Sequence, residues 1–342
     1  MDDAVTPAPR ERGWRRLVSA LVGFLLLPAL PLVSTALPVP QTMLMVVAAI
    51  AVCALLGWQK GGRLWLAAAW CVLAGWMAAQ PTSPGSSYDR LARGWTLLLV
   101  AAFGVVTVVG GGRTFFSRAL AAVALTLALA GGVLVLTPRG PQRVAAVVRE
   151  ELGRRSADEL ARWQASRAEA ERQGVLVGVP AADSLLNESE RSVQALPEAA
   201  TRVLPALLAL ESLAALALAW SLYHRVSRTR IGPALAPLRE FRFNDQLVWG
   251  LIVGITALLL PTLEGVRGPG LNLLVFFGAL YALRGLGVLA WFLTPRRPVT
   301  GVLVGLALVL LLRDGAAFAL GLVGVGDTWL DWRGRAGNHV NR

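Results

Sequence analysis

Four ionisable residues sit near the middle of long apolar runs: Glu211, Arg284, and the adjacent Arg313 and Asp314. A charge at the centre of a bilayer-spanning helix costs about 2.5–3.5 kcal/mol on insertion scales, so such groups turn inward and find a partner or a cavity. Two positive and two negative charges cancel. That balance has two readings. In the first, Glu211 pairs with one arginine and Asp314 with another, drawing the segments that carry them together as buried structural pairs. In the second, the four line a polar cavity at mid-depth, the level at which transporters hold substrate and coupling ions.

Other chemistry is scarce. The two histidines, His224 and His339, belong to no metal-ligand spacing. Gly110-Gly111-Gly112-Arg113 lacks the Gly-Lys-Ser/Thr ending of a phosphate loop and reads as a helix end. Cys53 and Cys71 lie inside apolar stretches, where they serve as small packing residues rather than a disulfide. No nucleophile elbow is present. The expectation is a non-enzymatic protein without cofactor or metal.

The elements that must position the four charges follow from composition. The 342 residues are 55% apolar and 16% charged, with a net charge of +12. Their mean hydropathy is +0.58. A soluble fold carries about a quarter charged residues, so a soluble domain, a disordered chain and a nucleic-acid binder are all excluded. A bilayer core takes about 20 apolar residues per helix, and that ruler marks nine segments: 17–37, 41–58, 63–79, 94–111, 118–137, 201–222, 247–263, 271–293 and 299–326. The alternating pattern of barrel strands is absent. The fold class is all-α, a polytopic transmembrane helix bundle of about nine helices.

Basic residues orient the threading. With the N-terminus cytoplasmic, the inner connections hold Arg10, Arg12, Arg15, Arg16, Lys60, Arg63, Arg113, Arg118, Arg225, Arg228, Arg230, Arg239, Arg242, Arg296 and Arg297, against Arg90, Arg93 and Arg267 on short outer loops. The skew of basic residues to arginine, Lys60 being the single lysine, points to a GC-rich bacterial genome, and the location is the inner membrane. The chain then divides into an N-terminal tail (1–16), five helices (17–137), an extracytoplasmic helical insert (138–200), four helices with a cytoplasmic loop at 223–246 (201–326), and a C-terminal tail (327–342). The first segment reads as an uncleaved helix because Pro28 and Pro31 interrupt it and it continues to Leu37. The last, divided by Arg313-Asp314-Gly315, reads as one kinked helix, since each half is too short to cross alone.

With Arg202 included, the insert is electrically neutral, ten basic residues against ten acidic. Val144, Val148 and Leu152 recur at helical spacing, Ser156-Ala157-Asp158-Glu159 reads as a capping box starting a second helix, and 181–195 as a third. Trp14, Trp58, Trp65, Trp76, Trp95, Trp220, Trp249 and Trp291 fall near segment ends, as headgroup-level anchors do. Gly250-x3-Gly254 and Gly301-x3-Gly305 each put two glycines on one helix face, so the seventh and ninth segments are expected to pack tightly through them. In the basic loop 223–246, Phe241 and Phe243 are placed to dip into the interface beside anionic lipid.

Three stretches carry a family likeness. Pro237-Leu238-Arg239-Glu240-Phe241-Arg242-Phe243, Leu283-Arg284-Gly285-Leu286-Gly287-Val288 and Gly324-Val325-Gly326-Asp327-Thr328-Trp329-Leu330-Asp331-Trp332-Arg333 resemble the YybS-like family of bacterial membrane proteins, a domain of unknown function. That family is distantly similar to substrate-binding membrane subunits of energy-coupling-factor transporters, which implies small-molecule capture. An uncharged polar residue usually precedes the glycine of the eighth segment in the family, and Arg284 departs from that pattern. Two functions follow as expectations: a small-molecule-binding or transport-related membrane subunit, or a non-catalytic scaffold that binds a membrane or cytoplasmic protein partner. Both have the lipid bilayer as a partner, and neither binds nucleic acid.

Overall fold

The structure, a computed structural model, describes residues 39–80, 86–173, 180–227, 229–293 and 315–335. Among them the chain forms ten α-helices and no strand: α1 Val39–Gln59, α2 Leu64–Ala79, α3 Ser87–Val109, α4 Phe115–Leu136, α5 Gly140–Arg172, α6 Pro180–Arg202, α7 Leu204–Val226, α8 Val248–Leu259, α9 Arg267–Leu293 and α10 Ala316–Leu330. Five helices, α1, α3, α4, α7 and α9, are long and apolar enough to cross a bilayer, and α2, α8 and α10 are shorter apolar helices. Eight of the nine apolar segments therefore contain a helix, and segment 17–37 lies outside the described residues. Helices are required here because a segment in lipid must satisfy its own backbone groups.

Two compact units divide the chain. One contains residues 1–201 with 211–235, the other residues 202–210 with 236–342. In the first, Met45, Ala49 and Cys53 recur every four residues on α1 and are fully buried. This is the inward stripe of a packed helix. It is joined in the buried core by Leu99 and Phe103 of α3, Ala119 and Ala122 of α4, and Leu216 and Ala219 of α7. Trp220 completes the core rather than anchoring at the interface. Its ring is fully buried, 5.3 Å from Phe115 and 6.1 Å from Phe103. By contrast Trp58, Trp65, Trp76 and Trp249 are exposed, as lipid-facing or interfacial rings should be.

In the second unit, glycines set the helix spacing. A Cβ on Gly250 would strike the Phe277 ring, and one on Gly254 would meet the Gly270 carbonyl and the backbone of Leu274. The seventh segment therefore packs tightly on the eighth through these two glycines; Gly301 and Gly305 lie outside the described residues. The ninth meets the eighth through a different pair. A Cβ on Gly285 would strike the Leu320 carbonyl, and one on Gly324 the Tyr281 carbonyl.

Two local expectations are corrected. The capping box at Ser156 starts no helix, because α5 runs unbroken for 33 residues, about 50 Å at 1.5 Å rise. Gly153 is the one weak helix former near that point, at about 1 kcal/mol, and ion pairs from Arg154 to both Glu151 and Asp158 bridge it. Nor does Phe243 dip into lipid. It is buried, with its ring 5.1 Å from Tyr281 and under the Arg284 guanidinium at 5.3 Å.

Candidate functional site

The sequence-predicted charges fall into separate settings. Glu211, near the start of α7, is 5% exposed and belongs to the first unit. Its Oε1 accepts a hydrogen bond from Thr42 Oγ1 of α1 at 2.5 Å, and its Oε2 has no hydrogen-bond partner among the described residues. The neighbouring Ser212 is fully buried and accepts from Trp95 Nε1 of α3 at 3.0 Å. Three helices thus fix the backbone around a single carboxyl group.

Just outside this point is a cavity of about 320 Å³. That lies at the lower end for small-molecule sites. Leu44 and Ala92 line it beside Gln41, Trp76, Tyr88 and the arginines Arg93 and Arg155. Tyr88 donates to Gln41 Oε1 at 2.9 Å, and Arg155 of the insert lies over the Tyr88 ring at 4.6 Å. Each arginine has its own carboxylate: Arg93 pairs with Asp89 at 2.7 Å and Arg155 with Glu151 at 2.9 Å. Arg93 also donates to the carbonyls of Ala78 and Gln80, which ties the end of α2 to α3. Burial alone would raise the Glu151 carboxyl, but hydrogen bonds from Arg154 and the charge of Arg155 outweigh it and hold the group below its usual value. The Arg155 charge also acts on Glu211, and Glu211 on Tyr88, so the buried carboxyl and the cavity share one electrostatic neighbourhood.

Arg284 has partners in its own unit. Its side chain is 3% exposed; Nε donates to Asp327 Oδ2 at 3.0 Å and Nη1 to Asp245 Oδ1 at 2.8 Å. Arg333 closes on the same carboxylate, with Nη2 donating to Asp327 Oδ2 at 2.6 Å and Nε to Oδ1 at 3.3 Å. The Arg333 Nη1 also donates to the carbonyls of Arg239 at 2.9 Å and Phe241 at 3.2 Å. Arg242 pairs with Asp331 at 2.7 Å. Arg313 and Asp314 lie outside the described residues.

Thr42, Asp245, Asp327 and Arg333 were not singled out from sequence as site residues. For the last three a signal existed, since all lie in or beside the stretches that carry the family likeness. Those stretches meet in space: the 237–243 loop, the Arg284 region of α9 and the 324–333 ending form one ion-paired knot. Among the described residues no group of three or more His, Cys, Asp or Glu side chains forms a metal-binding cluster.

Helices of this length and composition, with apolar faces outward and charges turned in, define a helical membrane protein. Residues 169–328 match the model of the family described as Predicted membrane protein (DUF2232), the family to which its YybS-like stretches point. No curated protein and no solved structure matches the chain.

Proposed function

We propose that the protein is a small-molecule-binding, transport-related subunit of the bacterial inner membrane. In this reading the N-terminus is cytoplasmic, and the ligand enters from the outer side beneath the insert helix α5. The observation that carries the reading is the cavity of about 320 Å³ whose lining combines Trp76, Gln41 and two arginine–carboxylate pairs, next to the buried Glu211. Because Arg93 and Arg155 each have a carboxylate partner, the lining carries no net charge, which favours a neutral or zwitterionic ligand over a simple anion or cation.

The test is a thermal-shift screen of purified protein against neutral, zwitterionic, anionic and cationic small molecules, repeated on Ala92→Trp and Glu211→Gln. Ala92→Trp fills the cavity without removing a charge. The expected result is stabilisation by a neutral or zwitterionic compound, lost in Ala92→Trp while the melting of the free protein stays unchanged. A protein that responds to no small molecule but co-purifies with one envelope protein would replace this reading with the scaffold.

A further inference from the structure

The opposite end of the chemistry in the first unit has donors in excess of acceptors. Lys60 Nζ, in the turn after α1, and Arg118 Nη1, in the first turn of α4, both donate to one oxygen, the Ile231 carbonyl, at 3.4 and 3.2 Å. The two cations therefore lie within about 7 Å of each other, a distance at which like charges repel unless an anion sits nearby. Arg118 is 3% exposed, and its Nε has no hydrogen-bond partner among the described residues. A buried guanidinium N–H without an acceptor is costly and calls for an explanation such as a bound ion.

The stretches around the two cations contain no carboxylate of their own to supply one. The stretches 58–64, 109–118 and 223–235 contain Lys60, Arg63, Arg113, Arg118, Arg225, Arg228 and Arg230 and no aspartate or glutamate. Apart from Arg228, which lies outside the described residues, these stretches converge. Besides the shared Ile231 carbonyl, a Cβ on Gly62 would lie 3.3 Å from Thr229 Oγ1. The receiving loop is held rigidly: Tyr223 donates to the Thr229 carbonyl at 2.9 Å, Trp220 Nε1 to that of Pro233 at 3.0 Å, and a His224 ring nitrogen meets that of Gly232 at 3.1 Å. Four of five successive carbonyls are thus bound by side chains, which fixes where the cations point.

We propose that this cluster is a binding site for the phosphate of an anionic phospholipid headgroup, with Lys60 and Arg118 as its principal donors. The lipid, rather than free phosphate, is favoured by depth. Lys60 lies between Trp58 and Trp65, which are 45% and 62% exposed, and exposed tryptophans of a membrane helix sit at headgroup level. Acyl chains of a bound lipid would lie along the apolar outer face of α2, where Val72 and Leu73 are exposed.

The test measures binding of phosphatidylglycerol and phosphatidylcholine to the purified full chain by native mass spectrometry, with inorganic phosphate as competitor. Phosphatidylglycerol should be retained over phosphatidylcholine. Lys60→Gln, an exposed position that leaves the core intact, should weaken that retention about fivefold, the effect of one surface charge. Arg172→Gln on the insert should leave it unchanged. Equal retention of phosphatidylglycerol by Lys60→Gln and the unmodified protein overturns the site. Equal loss in Arg172→Gln reduces it to bulk electrostatics, and displacement of the lipid by inorganic phosphate at comparable concentration overturns the assignment to a headgroup.

Discussion

Asp327→Asn is the most informative single change. The Asp327 carboxylate is fully buried and accepts three N–H groups, Arg284 Nε at 3.0 Å and Arg333 Nη2 and Nε at 2.6 and 3.3 Å. Asparagine keeps the shape and one acceptor, but it removes the charge and places an NH2 group where a guanidinium N–H already points. Two arginines, each 3% exposed, are left facing a neutral group. Asp245 still pairs with Arg284, but its side chain is 61% exposed and water screens it. Removing one partner of a buried ion pair costs about 3–5 kcal/mol, which lowers the melting temperature by on the order of 10 °C. The assay is thermal unfolding in detergent, read by circular dichroism, for Asp327→Asn, Arg333→Gln and the double variant. Because the two groups share hydrogen bonds, the double variant should be more stable than additivity predicts, by about 1 kcal/mol or more. An Asp327→Asn protein within about 0.5 kcal/mol of the parent, or strict additivity, refutes the reasoning.

Three further outcomes are expected. Gly324→Leu should abolish accumulation of folded protein, because even a Cβ there strikes the Tyr281 carbonyl, whereas Gly321→Leu, with open space around its Cβ, should accumulate normally in an expression and gel-filtration comparison. Glu151, held below its usual value, stabilises the fold fully above its unfolded value of about 4.3 and loses that contribution as pH falls through the lower folded value. Glu151→Gln should therefore flatten the acid limb of a stability–pH curve and leave its slope near pH 7 unchanged. Finally, Arg333 binds the carbonyls of the 239–241 loop, so a cysteine at Arg335 and one at Arg239 should react with an impermeant thiol reagent from the same side of the membrane.

The helices were legible because hydropathy reports directly on what a bilayer demands of a segment. The partners of the charges were not. Arg284 stood out as an intruder in an apolar run, but Asp245 and Asp327 lie at or beyond the ends of such runs and read as ordinary flanking residues. Their role depends on the 238–247 loop folding back against α9, a tertiary fact without a periodic signature. Trp220 and Phe243 failed for a related reason: position near a segment end says where a ring enters the protein, not which way it turns. At Ser156 a local capping pattern was overridden by ion pairs spanning it. Glu211 was legible as a buried carboxyl, but its partner, a threonine near the start of α1, offered nothing in sequence to distinguish it from other hydroxyls.

The Thr42–Glu211 bond joins residues 169 positions apart. At about 5–20 residues per second of synthesis, Thr42 is in the membrane for roughly 8–34 s before Glu211 has been made. Helices α1 to α4 are therefore made before the partner of Thr42 exists, with the seat for a carboxyl group empty while the whole insert is synthesised. The first unit closes only when α7 enters from the far end of that insert. A chain stalled between residues 137 and 211 would be a membrane-inserted but unfinished protein, which makes that interval the natural window for quality control to recognise it.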